Sequence, residues 1–107
     1  MAARLRVAER NGLALRSTGV VLAEVWRDAR GRQANLARLL KSVDVKAVDQ
    51  RLGQEAGVLL GKSGVNDAAD ATIVAVAATG DRILTSDPLD IRKLVSASRR
   101  SILVVPC

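Results

Sequence analysis

Histidine is absent from the 107-residue chain, as are phenylalanine and tyrosine, and Trp26 is the one aromatic residue. Without histidine there is no Ser-His-Asp or Cys-His catalysis, no histidine general base and no histidine-ligated zinc. Without aromatic side chains there is no platform on which bases could stack. Cysteine occurs once, as Cys107. An intramolecular disulfide and a cysteine zinc site are both excluded, which suits a reducing, cytoplasmic setting. No apolar run approaches the ~20 residues of a membrane span, and no secretory hydrophobic segment occurs. Neither G-x-G-x-x-G nor a Walker A sequence is present, so a dinucleotide or nucleoside triphosphate site has no support.

What remains is aliphatic and basic. Hydrophobic residues make up 49% of the chain, nearly all Ala, Val, Leu and Ile, which fits buried strands covered by helices. The formal charge is +6 with a pI near 10.7, which favours a polyanionic partner such as RNA or DNA. The length suits one domain with a single core.

Taken in order, residues 2–11 show helical spacing of apolar residues before Gly12 and are expected to end a helix, with their arginines on a solvated face or part of a nucleic-acid surface. Residues 13–16 predict a short strand, and Ser17 or Thr18 an N-cap for a helix through VVLAEVWRDAR. Glu24 stands in an apolar stretch, where a carboxylate needs exposure, a partner such as Arg27, or a cation. RQANLARLLKSV predicts a second amphipathic helix with Leu36, Leu39, Leu40 and Val43 inward. Arg27, Arg30, Arg32, Arg38 and Lys41 surround this corner and are the candidates for phosphate contacts. VDVKAV reads as a strand, and Asp49 as the cap of QRLGQEAGVLLGK, in which Gly53 and Gly57 would permit close helix–sheet packing. LDIRKLVSASRR predicts the last helix and SILVVPC a terminal strand. Alternating helices and strands imply an α/β fold with a parallel sheet.

The chain is organised around residues 65–91, which carry Asp67, Asp70, Asp81, Asp87 and Asp90 with Arg82 as the only basic residue. Asn66 is a candidate N-cap, ATIVAVAA a buried helix closed by Gly80, ILTS a strand, and Asp87-Pro88 the start of the next helix. Carboxylates in these places can stabilise helix N-termini. Asp90 could reach back as in a capping box, and Asp81 fits a turn. Alternatively, Asp70 and Asp87 could share a hard cation such as magnesium or manganese beyond the carboxyl ends of the strands.

The order AEVWR, then DAADATIVAVAATGDRILTSDPLDI, then an apolar last strand, resembles the PIN domain, particularly the VapC-like toxin ribonucleases of toxin–antitoxin pairs. The likeness covers about residues 5 to 106, and its strongest part is D-A-x-x-V-A followed by ILTSDPxDI. It implies a PIN-like three-layer sandwich, a parallel sheet flanked by helices, and a cytoplasmic Mg2+- or Mn2+-dependent endoribonuclease inhibited by an antitoxin protein. Carried over, Glu24, Asp70 and Asp87 would be the catalytic, metal-holding acids, with Asp67 and Asp90 as additional metal ligands. The chain departs from the family at its start, where an aspartate-bearing central strand is expected and none is read. A sheet lacking that strand would have open edges, which predicts a homodimer or larger oligomer. The competing reading is a catalytically inactive PIN-like module that binds RNA or a protein partner. A receiver-like signalling domain would need a phosphoacceptor aspartate ending a central strand and a lysine after a late strand, and neither pattern is clear.

Overall fold

A computed structural model describes residues 5–12, 14–26 and 34–107. Ten elements follow one another: β1 (Val7–Arg10), β2 (Ala14–Thr18), α1 (Gly19–Val25), α2 (Ala34–Leu40), β3 (Val43–Lys46), α3 (Gln50–Ser63), α4 (Ala68–Val76), β4 (Arg82–Thr85), α5 (Pro88–Ser98) and β5 (Leu103–Pro106). The strands form one sheet in the order β3-β2-β1-β4-β5. β2 pairs parallel with β3, and β4 with β5, while β1 lies between the two pairs and runs antiparallel to both β2 and β4. The fold is α/β, as expected, but the sheet is mixed rather than wholly parallel.

This corrects the reading of the first residues. Among the described residues of this segment there is no helix: Val7–Arg10 is a strand, and it fills the central place for which no strand was expected. The cause is local. Asn11 and Gly12 both take positive φ, 56° and 70°, the conformation that Asn-Gly favours in tight hairpins. The chain therefore folds straight back, pairing Arg10 with Ala14 and Ala8 with Arg16. The gap that motivated the expected oligomer is closed within the chain.

The other boundaries follow their caps. Thr18 accepts the Val21 N–H and Asp49 the Leu52 N–H at the starts of α1 and α3. Asp67, not Asn66, is the N-cap of α4 and accepts the Asp70 N–H at 3.0 Å. α4 ends at Val76, before Gly80: the Asp81 side chain accepts the Ala78 N–H at 2.9 Å and draws the chain out of the helix. Gly80 instead makes the turn into β4 at φ 94°. Asp81 serves the fold, taking ion pairs from Arg10 and Arg16. Arg100 donates to the carbonyls of Val74, Ala75 and Ala77 at the end of α4, satisfying groups that helix geometry leaves free. Arg82 pairs with Glu9 across the β1–β4 ladder.

α4 is the centre of the molecule. Residues Ala69 to Ala75 are all buried, and the helix packs against α1, α3, α5, β1 and β2. The core around it is aliphatic, including Val21, Ile73, Val74, Ile83, Ile91 and Leu94. Two packing expectations fail. Leu39 on α2 is 45% exposed. A side chain added at Gly57 would meet only open space, so the Gly53/Gly57 pair provides no close helix–sheet approach. Arg27, Arg30 and Arg32 lie outside the described residues, and Arg38 is exposed. Among the described residues no helix is long and apolar enough to cross a membrane.

The strand assignment is testable at Ala8, which is fully buried at the middle of the sheet. Ala8→Leu should lower unfolding stability by about 1–3 kcal/mol through overpacking. On an exposed helix the same change would cost at most roughly a few tenths of a kcal/mol, because Leu is nearly as good a helix former as Ala. Urea unfolding distinguishes the two.

Candidate functional site: an acidic cluster at the carboxyl edge of the sheet

Because β1 alone runs backwards, its first residues arrive at the edge where the other four strands end. Val7 pairs with Leu84, so Arg6, just before it, stands beside the end of β4. The Ser17 hydroxyl donates to the Arg6 carbonyl at 2.8 Å and fixes that backbone against β2. The Arg6 side chain is only 3% exposed, a placement that an arginine tolerates only when its charge is matched.

Three carboxylates match it. Arg6 Nη1 donates to Glu24 Oε1 at 2.6 Å, Nη2 donates to Asp67 Oδ2 at 3.3 Å, and Nε lies 2.6 Å from Asp70 Oδ1. Glu24 comes from α1, which follows β2, and Asp67 and Asp70 come from the start of α4. The two helices are tied beneath the cluster. Thr72 donates to the Ala69 carbonyl at 2.7 Å, so in its 2.8 Å bond with Thr18 it is the Thr18 hydroxyl that donates. Thr18 Oγ1 in turn accepts the Val21 N–H.

Asp70 is the unusual member. It is fully buried, and neither carboxylate oxygen accepts a hydrogen bond. The Arg6 Nε contact is a close charge contact whose N–H is not aimed at the oxygen. Burial pushes the Asp70 carboxyl up to about 6; Arg6 opposes this, while the charges of Asp67, Asp87 and Asp90 add to it. Burial works against the Arg6 charge, but the hydrogen bond to Glu24 and the charges of Asp70 and Asp67 outweigh it and raise the pKa.

The remaining acids come from the β4–α5 turn. Asp87 occupies the N-cap position of α5, yet its side chain makes no capping bond. The capping alternative for Asp87 is therefore not realised. The Asp87 N–H is instead accepted by Thr85 Oγ1 at 3.0 Å, which holds the turn after the strand. Asp90 lies in the first turn of α5. Asp70, Asp87 and Asp90 each offer an oxygen within 4.8 Å of the others, and among the described residues this is the one group of three that could hold a metal ion. No known family model, curated protein or solved structure matches this chain.

The donor set suits a hard divalent cation. All three groups are carboxylates, their spacing is within reach of one ion bound at about 2.1–2.5 Å, and neither buried Asp70 oxygen accepts a hydrogen bond, Oδ1 having only the charge contact with Arg6. Of the expected acids, Asp70, Asp87 and Asp90 converge. Glu24 and Asp67 are engaged by Arg6, and Asp67 uses one oxygen for that pair and the other for its cap. The helix reading of residues 2–11 places their arginines on a solvated face, but Arg6 is buried at the edge of the sheet. Its signal was the alternation Arg6, Ala8 on the buried face of a hairpin strand.

Folded Asp70 titrates near 6, above the ordinary aspartate value of about 4. Below about pH 4 the group is neutral in folded and unfolded chains alike and costs nothing. Between the two values the folded chain keeps its proton while the unfolded chain loses it, so stability falls as pH rises. Above about pH 6 the full cost, about 3 kcal/mol, is carried. In divalent-free buffer, unfolding stability should drop across this window, and Asp70→Asn should remove the drop. Asp81 acts oppositely. Burial raises its pKa, but the Ala78 N–H and the two arginines outweigh that and hold it low. Its contribution is lost only in stronger acid, below about pH 4.

Proposed function

We propose that this domain is a Mg2+- or Mn2+-dependent endoribonuclease, of the kind that serves as the toxin of a cytoplasmic toxin–antitoxin pair. The observation that carries the reading is the convergence of Asp70, Asp87 and Asp90 at the carboxyl edge of the sheet, with both Asp70 oxygens buried and without hydrogen bonds. Asp70 anchors the site from the buried helix, and Asp87 and Asp90 close it from the turn after β4. A cation held there would place Lewis-acid charge on a scissile phosphodiester and acidify a bound water. Thr85 keeps the Asp87 turn in place through the backbone N–H. The basic surface, including Arg38, would grip RNA through its phosphates, an attraction that weakens as salt rises. The antitoxin would be a separate protein that blocks this edge. A second copy of the chain is not needed to complete the sheet.

Arg6 favours a second reading, in which the chain is an inactive PIN-like module that binds RNA or a protein partner. A guanidinium already neutralises part of the acidic cluster, so the fold does not depend on a metal ion. Cleavage of a structured RNA decides between them. The nuclease reading predicts Mn2+-dependent cleavage, removed by chelator and reduced on the order of a hundredfold or more in folded Asp87→Asn. A folded wild-type chain that binds Mn2+ and RNA but leaves the RNA intact would establish the binding module instead.

A further inference from the structure

The acidic edge holds five carboxylates, and one guanidinium contacts three of them. Arg6 and the candidate metal group share only Asp70. Glu24 meets Arg6 at 2.6 Å and Asp67 meets it at 3.3 Å, and neither belongs to the group formed by Asp70, Asp87 and Asp90. The arginine is buried at 3% exposure and tied through its backbone to Ser17, so it is part of the site's wall and is not a mobile surface side chain. Arg6 meets Asp70 through Oδ1 alone, and neither buried oxygen accepts a hydrogen bond, which leaves Oδ2 for a second cation.

We propose that Arg6 is a resident counter-cation that divides the five carboxylates, keeping Glu24 and Asp67 out of the metal set and limiting the site to one divalent ion. This rests on the reading of Asp70, Asp87 and Asp90 as metal-holding residues and adds a positioning role for a residue that reading does not use. A positive charge a few ångströms from a divalent ion opposes its binding, more strongly in a partly desolvated site than in water. The wild-type site should therefore bind weakly and once. Removal of the charge frees two further carboxylates.

The test is Mn2+ binding to the full chain, followed by electron paramagnetic resonance of the free ion. Wild type should bind one ion. Arg6→Gln should bind on the order of tenfold or more tightly and take up a second ion, and Arg6→Lys should stay near wild type. A purely structural arginine would not raise affinity when removed. Unchanged or weaker binding in folded Arg6→Gln, with wild type still binding, overturns the proposal and leaves the metal reading standing. No binding by either overturns both. Binding by Arg6→Gln alone overturns the one-ion proposal, because the wild-type site would then hold none. If Arg6→Gln does not fold, Glu24→Gln decides: the proposal predicts affinity within about threefold of wild type, while Asp87→Asn loses on the order of tenfold or more. A loss in Glu24→Gln equal to that in Asp87→Asn would make Glu24 a ligand and overturn it.

Discussion

The arrangement of this domain depends on one buried guanidinium. Arg6 bridges α1 to the start of α4 through Glu24, Asp67 and Asp70, and it can do so only because β1 enters the sheet backwards. A parallel strand in the same place would bring its last residue to this edge. The antiparallel strand brings its first, Val7, and the residue just before it, Arg6, is a cation. Removing one partner of such a buried set typically costs about 3–5 kcal/mol, because the others are left charged without compensation. The hairpin at Asn11-Gly12 is thus connected to the electrostatics of the acidic edge.

That edge also shows why stability and chemistry pull apart here. α4 is buried along nearly its whole length, and Asp70 is the one carboxylate among its buried residues. It carries an aspartate whose oxygens lack hydrogen bonds, a condition that costs free energy in any folded protein. The fold meets this cost with strong local devices nearby. Asp67 caps the helix, Arg100 satisfies its last carbonyls, and Asp81 with two arginines fastens the turn that follows. Buried polar strain retained in spite of its cost is concentrated at functional sites.

Much of this was legible in the chain. Composition and the alternation of elements pointed to an α/β domain; the helix at Gln50 announced itself by its Asp49 cap and the helix at Pro88 by its proline, while the helix at Ala68 was expected from the wrong cap, Asn66 in place of Asp67. The meeting of Asp70 with Asp87 followed from their places at a buried helix start and after a buried strand, while Asp90 joined the expected set only through the family resemblance. The first ten residues misled for a physical reason. A short amphipathic segment ending in Asn-Gly satisfies both a helix C-terminus and a hairpin, because both need positive φ. Long-range pairing with β4 settles the matter, and local pattern does not contain it. Arg6 was hidden for the same reason, since its partners lie 18 to 64 positions away. Glu24 was read beside Arg27 or a cation, and the sheet supplied a different cation.

The most direct test of the account is a crystal structure of the chain grown in Mn2+, with an anomalous difference map. The account predicts one manganese peak bounded by Asp70, Asp87 and Asp90, with Arg6 still on Glu24 and Asp67. An edge without a peak, or a metal coordinated by Glu24 with Arg6 displaced, would contradict it.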